Sequence, residues 1–498
     1  MKIMIAAPSS GSGKTTLTCA LLALLKKKGR EPFSFKCGPD YIDPMFHERI
    51  LGISSENLDS FFCTHEEIQT LFNRPFISGK SRTALIEGVM GLFDGLGGKS
   101  LTASSYDIAR ITGTPIMLVV DSTGMSRSLV PLVKGFVDYD KKLSGNQKNL
   151  IKTVFLNKCS KAQFELVKPQ IESECGIKVA GYLPKDSEGV LKSRHLGLIL
   201  PDEITNLRQQ IDKTAQNLEE SLDFSLLESL FSDEEELFQK LPEGSSSLSR
   251  VSLSSASCCT LSPALQRSGL SLTIAVARDE AFCFYYHDNL RMLEEAGAKL
   301  TFFSPLHDSC IPSDAQALLL GGGYPELHAS CLQENSSMRQ SIKSAVKNGI
   351  TVMAECGGFM YLQEKLEGSG FSNKEEVQDL INEEGELSSY EMCGAIEGTS
   401  FYTGKLVRFG YADFFPKNWQ PVAEPLREAL TASSIKGHEF HYFDTTNNGS
   451  DFTARKPLSN RSWDCMIHTK KMLAGFPHLY YRSNPQLILS FLESCKKG

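Results

Sequence analysis

Three groups of residues in this 498-residue chain have the types and spacing that chemistry needs. The first closes the segment Pro8-Ser-Ser-Gly-Ser-Gly-Lys-Thr-Thr16, where small residues let successive backbone N–H groups turn toward one phosphate chain. Lys14 would reach the β and γ phosphates of a nucleotide, and Thr15 would offer its hydroxyl to Mg²⁺. The expected nucleotide contacts are Ser10, Gly11, Ser12, Gly13, Lys14, Thr15 and Thr16; Pro8 replaces the usual first glycine of such loops. The second group is a set of carboxylates beyond apolar runs. Glu87 ends Thr83-Ala-Leu-Ile-Glu87 and suits a metal held through oxygen, Asp40 and Asp43 fall in Cys37-Gly-Pro-Asp-Tyr-Ile-Asp-Pro44, and Asp94 occupies a loop that can approach a reacting group. The third is Cys356, flanked by Gly357 and Gly358 between a strand pattern and a helical one. A thiol at such an elbow sits at the positive end of a helix, which is expected to lower its pKa and favour the thiolate. The run Gly321-Gly-Gly323 at another strand end suits an oxyanion hole, with Gly322 and Gly323 as donors.

These residues need a sheet whose carboxyl edge gathers them. Lys2-Ile-Met-Ile-Ala-Ala7 reads as a buried strand, while Leu17, Ala20, Leu21, Leu24 and Leu25 recur at helical spacing up to Lys26–Lys28 and Gly29. Further strands are expected at 32–36, 83–87, 115–120, 153–156 and 179–182, each ending in polar or turn residues, as in open α/β folds that bind ligands at that edge. Asn157-Lys158, after the strand at 153–156, has the look of a base-reading element or of a plain strand end. A second α/β pattern starts at Leu272-Thr-Ile-Ala-Val-Ala277 and continues through Ala317-Leu-Leu-Leu320 and Ile350-Thr-Val-Met-Ala-Glu355.

Composition bounds the rest. The length exceeds one core, and 41% hydrophobic with 22% charged residues is globular. A net charge of −7 argues against a general nucleic-acid surface, no apolar run approaches a membrane span, and a cytoplasmic location is expected. The fourteen cysteines show no paired metal-type spacing and read mostly as small buried hydrophobes. Residues 226–270, acidic and then serine-rich, read as a flexible linker between a domain at 1–225 and another at 271–498.

The ordered set Ala7 to Thr16, Gly38 to Pro44, Asn57-Leu-Asp59, Glu87-Gly-Val-Met-Gly91 and Arg194-His-Leu-Gly197 resembles the cobyrinate a,c-diamide synthases of corrin biosynthesis. The resemblance covers nearly the whole chain. It implies a dethiobiotin-synthetase-like P-loop parallel-sheet domain followed by a flavodoxin-like class I glutamine amidotransferase domain. It also implies ATP and Mg²⁺, a cobyrinate-type corrinoid and glutamine as the other substrates, and a carboxylate activated as an acyl phosphate before ammonia displaces phosphate. Asp40, Tyr41, Asp43 and Asp94 would then meet the corrinoid or the intermediate, and Thr15 and Glu87 the metal. Ser483-Asn-Pro485 sets the family's register so that His478 is the base for Cys356, ahead of His438 and His441. Many relatives of this fold carry an orienting glutamate two residues after that histidine; here Tyr480 stands there, so the orienting group must come from elsewhere. Hydrogenobyrinate or a later corrinoid, as in cobyric acid synthase, is the close alternative substrate. A regulatory P-loop ATPase with a non-catalytic second half is the rival from another class, and a homodimer is compatible with either. The polar stretch 367–390 reads as an insertion.

Overall fold

The computed structural model describes residues 1–79, 83–145, 148–185, 206–231, 272–368, 388–417 and 433–495, together with the backbone of 193–194 and 197–198. The chain divides into two compact units, Met1–Ser246 and Ser247–Gly498. Each is taken by itself.

The N-terminal unit is built on a seven-stranded parallel sheet: β1 (Lys2–Ala6), β2 (Pro32–Cys37), β3 (Ser55–Leu58), β4 (Thr83–Glu87), β5 (Ile116–Asp121), β6 (Ile151–Asn157) and β7 (Lys178–Tyr182). Their spatial order is β3-β2-β4-β1-β5-β6-β7. Ile3, Met4, Ile5 and Ala6 are fully buried, as a central parallel strand covered on both faces requires. Because β1 lies between β4 and β5, the loop after it opens beside the ends of both neighbours. Helix α1 (Lys14–Lys27) begins directly from that loop and ends at Gly29, whose φ of 73° suits a helix terminus. β3 is an edge strand of sequence Ser-Glu-Asn-Leu, too polar to stand out as a strand. The helix Phe224–Phe231 buries Leu227 and Phe231, so the first residues of the expected linker, 226–231, are helical; the remainder lies outside the described residues.

The C-terminal unit has a six-stranded sheet. Its five parallel strands, Leu272–Ala277, Ala298–Phe303, Ala317–Leu320, Thr351–Glu355 and Met472–Gly475, take the spatial order 2-1-3-4-5 of flavodoxin-like folds. Ile467–Thr469 adds an antiparallel edge. A second, antiparallel sheet carries Arg408–Pro416 beside Ile435–His441, and the latter pairs with His478–Leu479. The expected insertion 367–390 begins and ends in an antiparallel pair, Lys365–Gly368 with Ser388–Glu391; residues 369–387 lie outside the described ones. Among the described residues no helix is long and apolar enough to cross a membrane.

Candidate active sites

In the N-terminal unit the phosphate loop is shaped by two positive-φ glycines, Gly11 (76°) and Gly13 (90°). Gly13 is required twice over, because a Cβ there would also lie 2.1 Å from Asn157 Nδ2. Asn157 Nδ2 donates to Ser12 O at 2.9 Å, and Lys158 Nζ lies 2.7 Å from Asp121 Oδ2. The polar pair at the end of β6 thus braces the loop and its neighbouring strand end. Ser12 Oγ donates to Ser9 O at 3.0 Å, while Ser10 and Gly11 face solvent and Thr16 is half-buried. Lys14 Nζ folds back over the loop to donate to Met90 O at 2.6 Å and Ser9 O at 3.1 Å. Its burial and the neighbouring Lys36 ammonium lower its pKa to about 8.

Beneath the loop lies a cluster of buried ionisable groups. Thr15 Oγ1 donates to Glu87 Oε1 at 2.5 Å and is 3.4 Å from Asp43 Oδ2. Lys36, the penultimate residue of β2, pairs with Asp43, with Glu87 at 3.1 Å and with Asp40 at 3.7 Å. Lys36 was not among the expected site residues, and neither was His47, whose Nε2 lies 3.3 Å from Glu87 Oε2. A π-helical turn, Phe46–Ile50, carries His47 inward, where Ser34 holds Nδ1 at 2.9 Å. Burial opposes charge throughout the cluster, yet Lys36 and His47 hold Glu87 well below the usual carboxylate range. Asp43 goes up instead, under burial and the neighbouring Asp40 and Glu87 charges. Asp43 Oδ1 is buried without a hydrogen-bond partner.

The other expected residues ring this cluster. Asp40 Oδ1 accepts from Ile42 N (2.8 Å) and Asp43 N (3.2 Å), and so shapes the turn that presents Asp43. Asn57 Nδ2 ties down the same loop through Gly38 O at 2.9 Å and Asp40 O at 2.7 Å. Tyr41 is half-buried in that loop. Asp94 Oδ2 accepts from Gly91 N at 3.0 Å, and Asp94 is close enough to bear on the charge of Lys14. Of the Arg194-His-Leu-Gly197 motif no side chain lies among the described residues.

In the C-terminal unit Cys356 stands between Thr351–Glu355 and the helix Gly357–Leu362 with φ 46° and ψ −106°, the strained turn of a nucleophile elbow. The glycines after it serve close backbone packing: a Cβ on Gly358 would lie 2.3 Å from Leu320 O, and Gly358 N donates to Gly321 O at 2.9 Å. The helix start is thereby locked to Gly321–Gly323, and a Cβ on Gly357 would sit 3.2 Å from Gly323 N. His478 borders the same loop, since a Cβ on Gly322 would lie 2.4 Å from its Cε1. Cys356 N donates to Gly475 O at 2.8 Å, three residues before His478. The geometry therefore brings Cys356, His478, Gly322 and Gly323 together.

His438 pairs across strands with His478 and stacks on it, ring centroids 4.9 Å apart. His441 stacks on Phe476 at 4.1 Å. One expectation is reversed: burial, with Glu326 nearby, pushes the Cys356 thiol up despite the Gly357 N–H beside it. Burial also lowers His478, aided by His438 and His441. The pair rests neutral, and a thiolate requires proton transfer to the imidazole.

A phosphate-loop α/β unit joined in one chain to a cysteine–histidine elbow on a flavodoxin-like sheet defines a nucleotide-binding glutamine amidotransferase. Family comparisons agree. Residues 3–196 match the CobQ/CobB/MinD/ParA nucleotide binding domain and residues 273–486 the CobB/CobQ-like glutamine amidotransferase domain. The cobyrinate a,c-diamide synthase of Listeria innocua serovar 6a is 38% identical over 100% of both chains, and that of Clostridium tetani 35% identical over 99% of both. The Salmonella typhimurium protein of the same name is 34% identical over 99% of this chain and 98% of its own. The chain belongs to the cobyrinate a,c-diamide synthase family.

Proposed function

We propose that this protein uses ATP and glutamine to amidate the a and c acetate carboxylates of cobyrinate in cobalamin biosynthesis. The observation that carries the reading is the presence, in one chain, of a phosphate loop over the Lys36–Asp43–Glu87 cluster and of a Cys356–His478 elbow on a glycine loop. Full-length likeness to enzymes of that name supplies the substrate.

Each half then has its task. A carboxylate anion repels nucleophiles and offers no leaving group, so it is first converted by ATP to an acyl phosphate, with release of ADP. The loop from Ser10 to Thr16 cradles the phosphates, and Lys14 and Lys36 offset the charge of the transferring group. Thr15 Oγ1 and the carboxylates of Glu87 and Asp43 form an all-oxygen donor set, and the unpartnered Asp43 Oδ1 fits a hard cation such as Mg²⁺. When bound, Mg²⁺ neutralises phosphate charge. Asp40, Tyr41 and Asp94 border the acceptor side of the cluster.

In the other unit His478 takes the thiol proton and the Cys356 thiolate attacks the side-chain carbonyl of glutamine, its oxyanion facing Gly322 and Gly323. Proton return to the leaving nitrogen releases ammonia, water hydrolyses the thioester to glutamate, and ammonia displaces phosphate from the acyl phosphate. The test incubates the protein with ATP, Mg²⁺, glutamine and a panel of tetrapyrrole carboxylates and weighs the products. Two successive amidations of cobyrinate are expected; selective amidation of hydrogenobyrinate, or of an already amidated corrinoid, would overturn the substrate assignment.

A further inference from the structure

At the position two residues beyond His478, the Tyr480 hydroxyl donates to Asp288 Oδ2 at 3.0 Å. Arg482 grips the same carboxylate through Nε at 2.7 Å and Nη2 at 2.8 Å. That position is therefore committed to a buried ionic cluster. His438 does not replace it either. Its ring lies over the face of His478 with an interplanar angle of 17°, whereas the nitrogens of an imidazole make hydrogen bonds in the ring plane.

A carboxylate does reach His478 from another direction. Glu355, the residue before the nucleophile, places Oε2 3.9 Å from His478 Nδ1, with both side chains buried. Its Oε1 accepts from Leu479 N at 3.3 Å, the amide next to the histidine. Glu355 is thus tied to the backbone that carries the imidazole. Consecutive strand residues normally point to opposite faces, but the positive φ of Cys356 breaks that alternation at the point where it would separate acid from nucleophile. Tyr481 hydrogen-bonds the Glu355 carboxyl, and burial keeps Tyr481, Tyr285 and Cys356 neutral, so none of the three sets a competing anion beside the imidazole.

We propose that Glu355 is the positioning residue of the glutaminase centre. Burial raises the Glu355 carboxyl to about 8, so the form that acts is the one ionised above that pH. That carboxylate accepts from His478 Nδ1–H, fixes the tautomer that leaves Nε2 as proton acceptor, and balances the imidazolium that forms when the Cys356 proton is transferred. Catalytic hydrogen bonds are often long before substrate binds, and 3.9 Å is within reach of one side-chain adjustment.

The inference rests on reading this unit as a glutaminase, and the experiment separates the two. Product is measured from glutamine and from ammonium above pH 8, where Glu355 is ionised, for the wild-type chain, Glu355→Gln and Glu355→Asp. In Glu355→Gln, glutamine-dependent kcat should fall roughly 10²–10⁴-fold. KM for glutamine should stay within about threefold and the ammonium reaction should be unchanged. Glu355→Asp, which keeps the acid on a shorter arm, should recover part of the loss. Glutamine-dependent kcat within about twofold of wild type in Glu355→Gln would overturn the inference. A wild-type chain that makes product from ammonium but none from glutamine would overturn the glutaminase reading instead. Should Glu355→Gln not fold, ¹⁵N-histidine spectra of the wild-type chain taken above pH 8, where Glu355 is ionised, decide. His478 protonated at Nδ1 supports the inference, and protonation at Nε2 overturns it.

Discussion

Around Glu87 the structure buries ions. Lys36 stays an ammonium despite its burial because the Asp43 oxygens and Glu87 face it, and Glu87 stays a carboxylate because Lys36 and His47 face it; Asp43 is the exception, pushed up by burial and by the Asp40 and Glu87 charges. Around Cys356 it buries the same kinds of side chain as neutral groups: the thiol is pushed up, His438 is lowered to about 3 and His478 below its usual value, and Glu355 is raised to about 8, burial being the largest cause in every case. The difference follows the chemistry. Phosphoryl transfer is helped by fixed charges already in place, whereas amide cleavage by a thiol needs groups that pass a proton and become charged only along the reaction. Burial alone specifies neither centre; the partners decide which protonation state is kept.

The sharpest way to break this comparison is to remove the nucleophile of the neutral centre. Cys356→Ser should lower glutamine-supported synthesis roughly 10³-fold or more, since a hydroxyl is a far poorer nucleophile at neutral pH. Ammonium at mildly alkaline pH should restore synthesis, because the charged centre is untouched. Loss of both reactions in a folded variant would show that the two centres do not divide the work.

Lys36→Met attacks the charged centre. Removing one partner of a buried ion cluster leaves uncompensated charge and costs about 3–5 kcal/mol. Synthesis should collapse with either nitrogen source, and urea titration should show the loss of stability. A variant as stable and active as the wild type would mean that Asp43 and Glu87 do not depend on the ammonium.

Acid sharpens the comparison without mutation. An unfolded chain takes protons on histidine below pH 6.5, while folded His438 and His478 refuse them, so stability falls as pH drops below that value. Glu355 opposes this, because its folded carboxyl keeps a proton up to about 8 that the unfolded one releases above 4.5. At this centre two refused protons outnumber the one retained, so its contribution falls as pH drops from 6.5 to 4.5; Asp43 at the charged centre, shifted in the same direction as Glu355, opposes that loss. Glu87 has the opposite sense from Glu355: its contribution is intact above 4.5 and is lost only below, toward its depressed folded value. Hydrogen exchange should therefore show Thr351–Glu355 losing protection from pH 6.5 to 4.5, while β4, apart from global unfolding, is affected later. Simultaneous loss in both strands would erase the predicted difference.

The sequence made the parallel strands legible because buried strands read as apolar runs, and those at Thr83–Glu87, Leu272–Ala277 and Ala317–Leu320 have the expected ends. The edge strand Ser55–Leu58 was hidden by its polarity. Glu87 stood out as an acid closing an apolar strand, and Glu355 closes Thr351–Glu355 in the same way, yet the adjacent thiol drew the attention. Lys36 gives the same signal with opposite charge, near the end of Pro32–Cys37. His47 had no such signal, because only the π-helical turn and its contacts with Ser34 and Ser55 bring it under the phosphate loop. The thiol's pKa could not be read from motif spacing, since desolvation is a property of everything packed around the elbow.

The smallest expected effect lies at the boundary of the charged centre, where Asn157 braces the phosphate loop through Ser12 O. Asn157→Ala should cost about 1 kcal/mol, the worth of one hydrogen bond. The loosened loop should raise KM for ATP a few-fold, roughly the same energy, with glutamine hydrolysis unaffected. Gly13→Ala should be much worse for two reasons that the pair of changes can separate. Its Cβ would strike Asn157 Nδ2, and a φ of 90° would strain any residue with a Cβ. Asn157→Ala removes the first obstacle and leaves the second, which costs about 1–2 kcal/mol in a left-handed conformation. The double variant should therefore recover part of the ATP affinity lost in Gly13→Ala without reaching that of Asn157→Ala alone. Full recovery would mean that the clash with Asn157 alone excludes a side chain at Gly13; no recovery would mean that the backbone conformation alone does.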